Sequence, residues 1–207
     1  MPESFGLLGA GAQAEEVEEF AHPDRVEFRA VDADFVDHSV GGVDIRTADR
    51  SLLDVPVTAA VGAPGLRRSL VQAWTGSRYH RVVARQAWIA TDARLGEGVM
   101  VAPLAAVSAG VVLGDHVLVN IGATVSHHST IGAFATLSPG AHVAGRCTIG
   151  EGVFVGIGAS VSHDVHIAAG AVIGAGAVVV DDIDAPGLFV GVPARLVRPV
   201  EEWLRVL

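Results

Sequence analysis

The chain has 207 residues, enough for one or two compact domains. Half of it is hydrophobic but only 5% is aromatic, with 25 glycines. This profile excludes a helical bundle, whose core wants Leu and larger residues. The formal net charge is −9 with no block of Lys or Arg, which excludes a nucleic-acid-binding face, because phosphate contacts need clustered cations.

Met1 to Ala14 has no basic segment followed by an apolar one, so no signal peptide is expected and the predicted location is the cytoplasm. Phe5 to Leu8 reads as a short apolar strand. Gly9-Ala10-Gly11-Ala12-Gln13-Ala14 follows as a glycine-rich turn into a helix reaching Phe20, with Glu15, Glu16, Glu18 and Glu19 near its start, where acids suit the helix dipole. Val26 to Val31 reads as a second strand, ending at Asp32 and Asp34. Val57 to Val61 reads as another, followed by Gly62-Ala63-Pro64-Gly65 and a helix carrying Arg67 and Arg68. Strand, glycine turn, helix and strand make a small Rossmann-like α/β unit over residues 1–85. The amides of its glycine turn and the following helix start could hold a phosphate or sugar, or form only a tight connection.

From Ile89 the pattern changes. Stepping by six from Ile89 to Val179 meets only Ile, Leu and Val. A second column, four residues after each of these, holds only small or β-branched residues, Cys147 among them. Such a period is the mark of a solenoid: one short strand and one corner per six residues, three strands per coil of a triangular prism, coils stacked about 4.8 Å apart. Gly96, Gly114, Gly132, Gly150, Gly156 and Gly174 directly follow the aliphatic position and are expected to supply the corner backbone angles. The predicted fold is a parallel β-helix over residues 86–190, closed by an extension at 191–207 that contains a short helix. The apolar run Ala168 to Val180 is too short to span a bilayer, so no membrane contact is expected. Cys147, the one cysteine, is expected to be a buried core thiol.

The order of these parts, and several motifs within them, resemble the PglD/NeuD-type bacterial sugar acyltransferases. The resemblance covers nearly the whole chain. It rests on the opening glycine turn, Val61-Gly62-Ala63, Asn120-Ile121-Gly122-Ala123-Thr124-Val125-Ser126-His127, Pro139-Gly140-Ala141, Gly152-Val153-Phe154-Val155-Gly156 and the closing Gly191-Val192-Pro193-Ala194-Arg195. It implies a left-handed β-helix, a homotrimer, and acetyl-CoA lying between neighbouring prisms as co-substrate. It also implies a nucleotide-linked amino sugar held by the front unit. By resemblance His127 is the catalytic base and Asn120 a nearby active-site amide, with His128 a candidate helper. The implied CoA contacts are Gly145, Gly156, Gly158, Ala159, His163, Pro193 and Arg195. The implied acceptor contacts are Gly9, Gly11, Ala12, Gln13, Asp32, Asp34 and Gly62. Two positions depart from the family pattern: an acid usually follows the catalytic histidine, where this chain has His128, and the front turn often ends in Gly-His, where it has Gln13-Ala14.

The chemistry needs little more. Attack of an amine or a hydroxyl on a thioester requires loss of one proton, which a histidine can take near neutral pH, and backbone amides can hold the oxyanion. His127 is two residues after Val125 and should project outward. His116, His142 and His166 are expected to be surface or packing residues. A zinc-dependent carbonic anhydrase shares this prism but needs two histidines five residues apart, and no two are so spaced here, so no metal is expected. O-acetylation of a sialic-acid-like sugar remains open at this point, as does a structural trimer without activity.

Overall fold

The computed structural model describes residues 3–31, 43–45 and 50–206. The front unit runs β1 (Ser4–Leu8), α1 (Ala12–Phe20), β2 (Arg25–Val31), β3 (Val43–Asp44), α2 (Arg50–Leu53), β4 (Val57–Ala59) and α3 (Pro64–Ala73). Its strands form a parallel sheet in the order β3-β2-β1-β4. This is the Rossmann-like arrangement expected. α1 buries Ala14 and Val17 against the sheet and leaves its glutamates in solvent. Pro64 opens α3, where its fixed φ suits a first helical position. Asp32 and Asp34 lie outside the described residues.

From β5 (Val82–Val83) a two-residue strand recurs every six residues through β21 (Val178–Val179). Each strand pairs in parallel with the one three places on; Leu118 and Val119 face Thr136 and Leu137, for example. The prism therefore has three faces, of five, six and eight strands, and the fold is a left-handed parallel β-helix. The aliphatic column points inward and is buried from Val101 to Val179, and the small column is buried beside it from Val99 to Ile183. Cys147 is a core residue of this interior, its Sγ 2.9 Å from the Ser162 carbonyl.

The glycines work differently from the sequence reading. Positive φ falls two residues beyond the expected positions, at Gly98, Gly110, Gly122 and Gly140 and at the equivalent Leu104, His116, His128, Phe134, Arg146 and Asp164. Gly114, Gly132 and Gly150 are needed for closeness instead: a Cβ there would lie 2.5–2.7 Å from a backbone nitrogen of the next coil.

The C-terminal extension also differs. No helix forms after residue 190 among the described residues. β22 (Gly187–Val190) joins the eight-stranded face and β23 (Arg195–Pro199) folds back on it antiparallel. The remaining tail is extended because its groups are engaged elsewhere. The Leu204 carbonyl accepts a hydrogen bond from the Gly65 amide at 2.8 Å, and the Trp203 ring lies over Gly152 and Gly170, with Arg68 4.6 Å from its centre.

The front unit sits on the eight-stranded face. Val82, Met100 and Leu118 point out of the prism into the cluster built by Phe5, Leu7, Ala14 and Val17, so the two units share a core. Arg67 fastens them. Fully buried, it donates to the carbonyls of His116, Phe134 and Ala135 and the hydroxyl of Thr136 on the prism, and to those of Val61 and Gly62 on its own unit. Burial pulls its pKa down to about 9, which leaves it a cation at neutral pH, its charge met by carbonyl dipoles. Beside it His116 is buried between Phe134 and Tyr79, at ring distances of 4.9 and 4.6 Å. Burial lowers its pKa to about 4, with Arg67 adding to the effect and Asp115 opposing it.

Two outcomes follow from this interface. Arg67→Ala strands several buried carbonyls and should cost at least about 3 kcal/mol in denaturant unfolding, with Arg67→Lys a poor substitute, because an ammonium cannot span the same fork of acceptors. His116 binds a proton more readily unfolded than folded. Its contribution is therefore complete above its ordinary value of 6.5 and is lost as pH falls from there toward 4. His116→Phe, whose ring Phe134 shows to be tolerated at this φ, should flatten the stability profile over that window in thermal melts at stepped pH.

Candidate active site

Two neighbouring corners of the prism carry the residues singled out from the sequence. The corner at Asn120–Gly122 joins β11 (Leu118–Val119) to β12 (Thr124–Val125), and the corner at His127–His128 joins β12 to β13 (Thr130–Ile131). β12 thus separates Asn120 from His127, and within one chain they stand on different corners.

Asn120 is nearly buried. Its side-chain oxygen accepts from the Ile121 amide at 2.7 Å, and its side-chain nitrogen donates to Gln13 Oε1 at 3.3 Å. Gln13 also donates to Glu16 Oε2. The first turn of α1 is therefore tied to the Asn120 corner. Gly9 takes a φ of 114° and Gly11 is exposed, with nothing within 4 Å of where a side chain would start. No side chain caps this helix end, which leaves the amides of Gly11, Ala12 and Gln13 open to an anion, while those of Gly9 and Ala14 donate to the Ala30 and Gly11 carbonyls. Next to it lies a cleft of about 490 Å³ lined by Glu16, Glu19, Phe20, Arg85, Pro103 and Ile121. Sequence reasoning did not bring these residues together, because they come from α1 and one corner of three successive coils and share no single motif.

The imidazoles of the second corner are exposed and stand over glycines. A Cβ on Gly145, one coil on, would lie 2.6 Å from His127 Cε1 and 2.7 Å from Nε2. A Cβ on Gly110, one coil back, would lie 3.0 Å from His128 Cδ2. The two rings meet Nδ1 to Nδ1 at 3.2 Å, their planes 75° apart. Further along this corner are His163, exposed, and Arg146, which forms a two-bonded ion pair with Asp164 at 2.6 and 2.7 Å. Arg146 holds the Asp164 carboxyl below the usual range.

Of the other expected contacts, Gly158 is exposed and open on the Asn120 side of the prism, and Pro193 and Arg195 are exposed in the terminal hairpin, Arg195 3.6 Å from Asp181. The structure gives the rest packing work. Ala159 is a core residue whose amide and carbonyl both serve the coil, and Gly156 is pressed against the next coil. Gly62 is buried, with its carbonyl turned to the prism and taken by Arg67 and Thr136. Burial pushes the Cys147 thiol pKa up, which argues against a covalent intermediate there. Among the described residues no group of three or more His, Cys, Asp or Glu could hold a metal, and no helix is long and apolar enough to cross a membrane.

A prism of hexapeptide coils with an exposed histidine corner and a nucleotide-fold unit beside it defines a hexapeptide-repeat acyltransferase. Comparisons with known proteins agree. The bacterial transferase hexapeptide family (six repeats) matches residues 146–181. The acetyltransferase domain of PglB from Neisseria gonorrhoeae is 30% identical, with a TM-score of 0.82 over 94% of this chain and 100% of that one. PerB from Caulobacter crescentus, solved with CoA and GDP-perosamine, is 31% identical, with a TM-score of 0.80 over 95% and 97%. WeeI from Acinetobacter baumannii, 24% identical with a TM-score of 0.80, shares the fold. No curated protein sequence matches. The chain belongs to the PglD/NeuD-type family of hexapeptide-repeat sugar acyltransferases, and it is an acyl-CoA-dependent enzyme.

If Gly145 is the floor on which His127 rests, Gly145→Ala should displace the ring and lower turnover at least about tenfold, while the melting temperature changes little. A variant that loses both together would point to a collapsed coil instead.

Proposed function

We propose that the protein is an acetyl-CoA-dependent N-acetyltransferase acting on a nucleotide-linked amino sugar, with His127 as general base. The observation that carries this is the exposed His127 ring, resting on Gly145 and bonded at Nδ1 to His128. Support comes from the whole-chain likeness to PerB, whose structure holds CoA and GDP-perosamine, and to the PglB domain, solved also with acetyl coenzyme A.

In this reading the phosphates of the acceptor meet the amides at Gly11, Ala12 and Gln13, Gly9 shapes the turn while its own amide donates to the Ala30 carbonyl, and Asp32 and Asp34 read its base or ribose. The acceptor amine attacks the thioester carbonyl. His127 Nε2 takes the amine proton as the C–N bond forms, and returns it to the departing sulfur as the C–S bond breaks. Asn120 and corner amides steady the oxyanion. CoA runs past Gly145 and His163 toward Pro193 and Arg195, with Gly158 as the opposite wall.

Because Asn120 and His127 occupy different corners, one copy's His127 corner works against the next copy's Asn120 and Gln13, and a closed ring of three copies provides three such sites. The face between the two corners is available for this contact: it carries small, half-buried Ala106, Thr124, Ser160 and Val178 beside exposed Trp88 and His142. His127→Ala should lose about 10²-fold or more in thiol release from acetyl-CoA with an amino-sugar nucleotide, the trimer remaining intact by sedimentation. Mixing His127→Ala with Asn120→Ala subunits, each inactive alone, should restore about a quarter of the sites by random assortment in the ring. No recovery on mixing would place both residues in a single chain's site.

A further inference from the structure

The carboxylate that usually follows the catalytic histidine in this family is absent, and the structure offers a replacement. We infer that His128 is a positioning residue: it accepts the Nδ1 proton of His127 and so leaves His127 Nε2 bare to act as the base. This rests on the reading of His127 as base given above.

The geometry admits few alternatives. The two Nδ1 atoms are 3.2 Å apart, a hydrogen-bonding distance, and each ring is supported on a glycine. With both rings neutral, one Nδ1 must donate and the other accept. If His128 donates, His127 carries its only proton on Nε2 and cannot take another there. If His127 donates, its Nε2 lone pair is free, and His128 keeps its own proton on Nε2. When His127 then takes the amine proton, its Nδ1–H still points at the His128 lone pair, so the bond survives through the tetrahedral intermediate. After Nε2 passes that proton to the CoA sulfur, the pair is back where it began, with no net change in its protons.

His128 also occupies a costly place for a side chain. Its φ is 59°, at the turn position that Gly110, Gly122 and Gly140 fill elsewhere. His116 and Phe134 at such positions pack beneath the front unit, and Arg146 and Asp164 pair with each other. His128 is exposed, and among the described residues the side-chain polar partner of its ring is His127. The charged and titratable groups along the same corner are Arg146, Asp164 and His163, with Asp92 bonded to the Gly110 amide on the other side. None of them hydrogen-bonds to a ring nitrogen of His127, although the Asp164 carboxylate is close enough to feel its charge.

An imidazole differs from a carboxylate in two ways that can be measured. It can donate as well as accept, and it adds no negative charge beside the imidazolium. The test is therefore a set of variants in the intact enzyme, His128→Ala, His128→Phe and His128→Glu, read by kcat, by KM for acetyl-CoA, and by ¹⁵N NMR of the His127 ring. The expected result is a kcat loss on the order of tenfold or more in the Ala and Phe variants, smaller than that of His127→Ala, with KM little changed. The His127 tautomer should shift away from Nδ1–H in those two. His128→Glu, which can only accept, should recover both the tautomer and most of the rate. Normal kcat and an unchanged tautomer in His128→Ala would overturn the role of His128. If His127→Ala were also fully active, the base assignment itself would fall, and the two failures are thereby told apart.

Discussion

The buried guanidinium of Arg67 joins two kinds of structure that have no reason of their own to meet. A Rossmann-like unit and a β-helix each satisfy their own backbone hydrogen bonds, and apolar contact alone would let one slide on the other. Arg67 reads carbonyls from two coils and from the turn before its own helix, and these acceptors share one fork only in one register. The register matters for the chemistry. It sets the first turn of α1 beside Asn120, so that Gln13 and Asn120 bond across 107 positions of sequence. The acceptor end of the site is thus held by an arginine that never touches it.

The second organising feature is the use of glycine as a floor. In a solenoid the next coil is always one step away, so a side chain at a corner lies over whatever residue follows it by one turn. His127 and His128 can lie down only because Gly145 and Gly110 occupy those places. The same rule read in the other direction explains Trp203, whose ring covers Gly152 and Gly170 and carries the tail across to α3.

The prism was legible in the sequence because its packing is local and repeats without interruption: each inward residue meets residues six and eighteen places away. The front unit was legible too, since β1, α1 and β2 announce themselves by short apolar runs and a glycine turn. What the sequence concealed were single contacts between distant segments. Arg67 read only as one of two arginines on a helix and proved to be fully buried. Gly62 read as a ligand turn and faces the prism. Gly145 was expected near CoA, but its closeness to His127 depends on how an imidazole lies, which no spacing encodes. The corner glycines were placed correctly for the wrong reason, since closeness between coils and left-handed backbone fall on different positions of the hexad. The tail read as helical because its residues permit a helix, and only its partners on α3 and the prism decide otherwise.

The unbroken hexad also constrains how such a gene can change length. Strands that stack are eighteen residues apart. A duplication of eighteen codons adds a whole coil and leaves each corner above its counterpart. A single codon gained between Asn120 and His128 would turn every later side chain inside out, exchanging core for solvent down to the terminal hairpin. Evolution of this enzyme's size is thereby quantised in coils, and finer adjustment is left to the front unit and the tail, the two places where no period has to be kept.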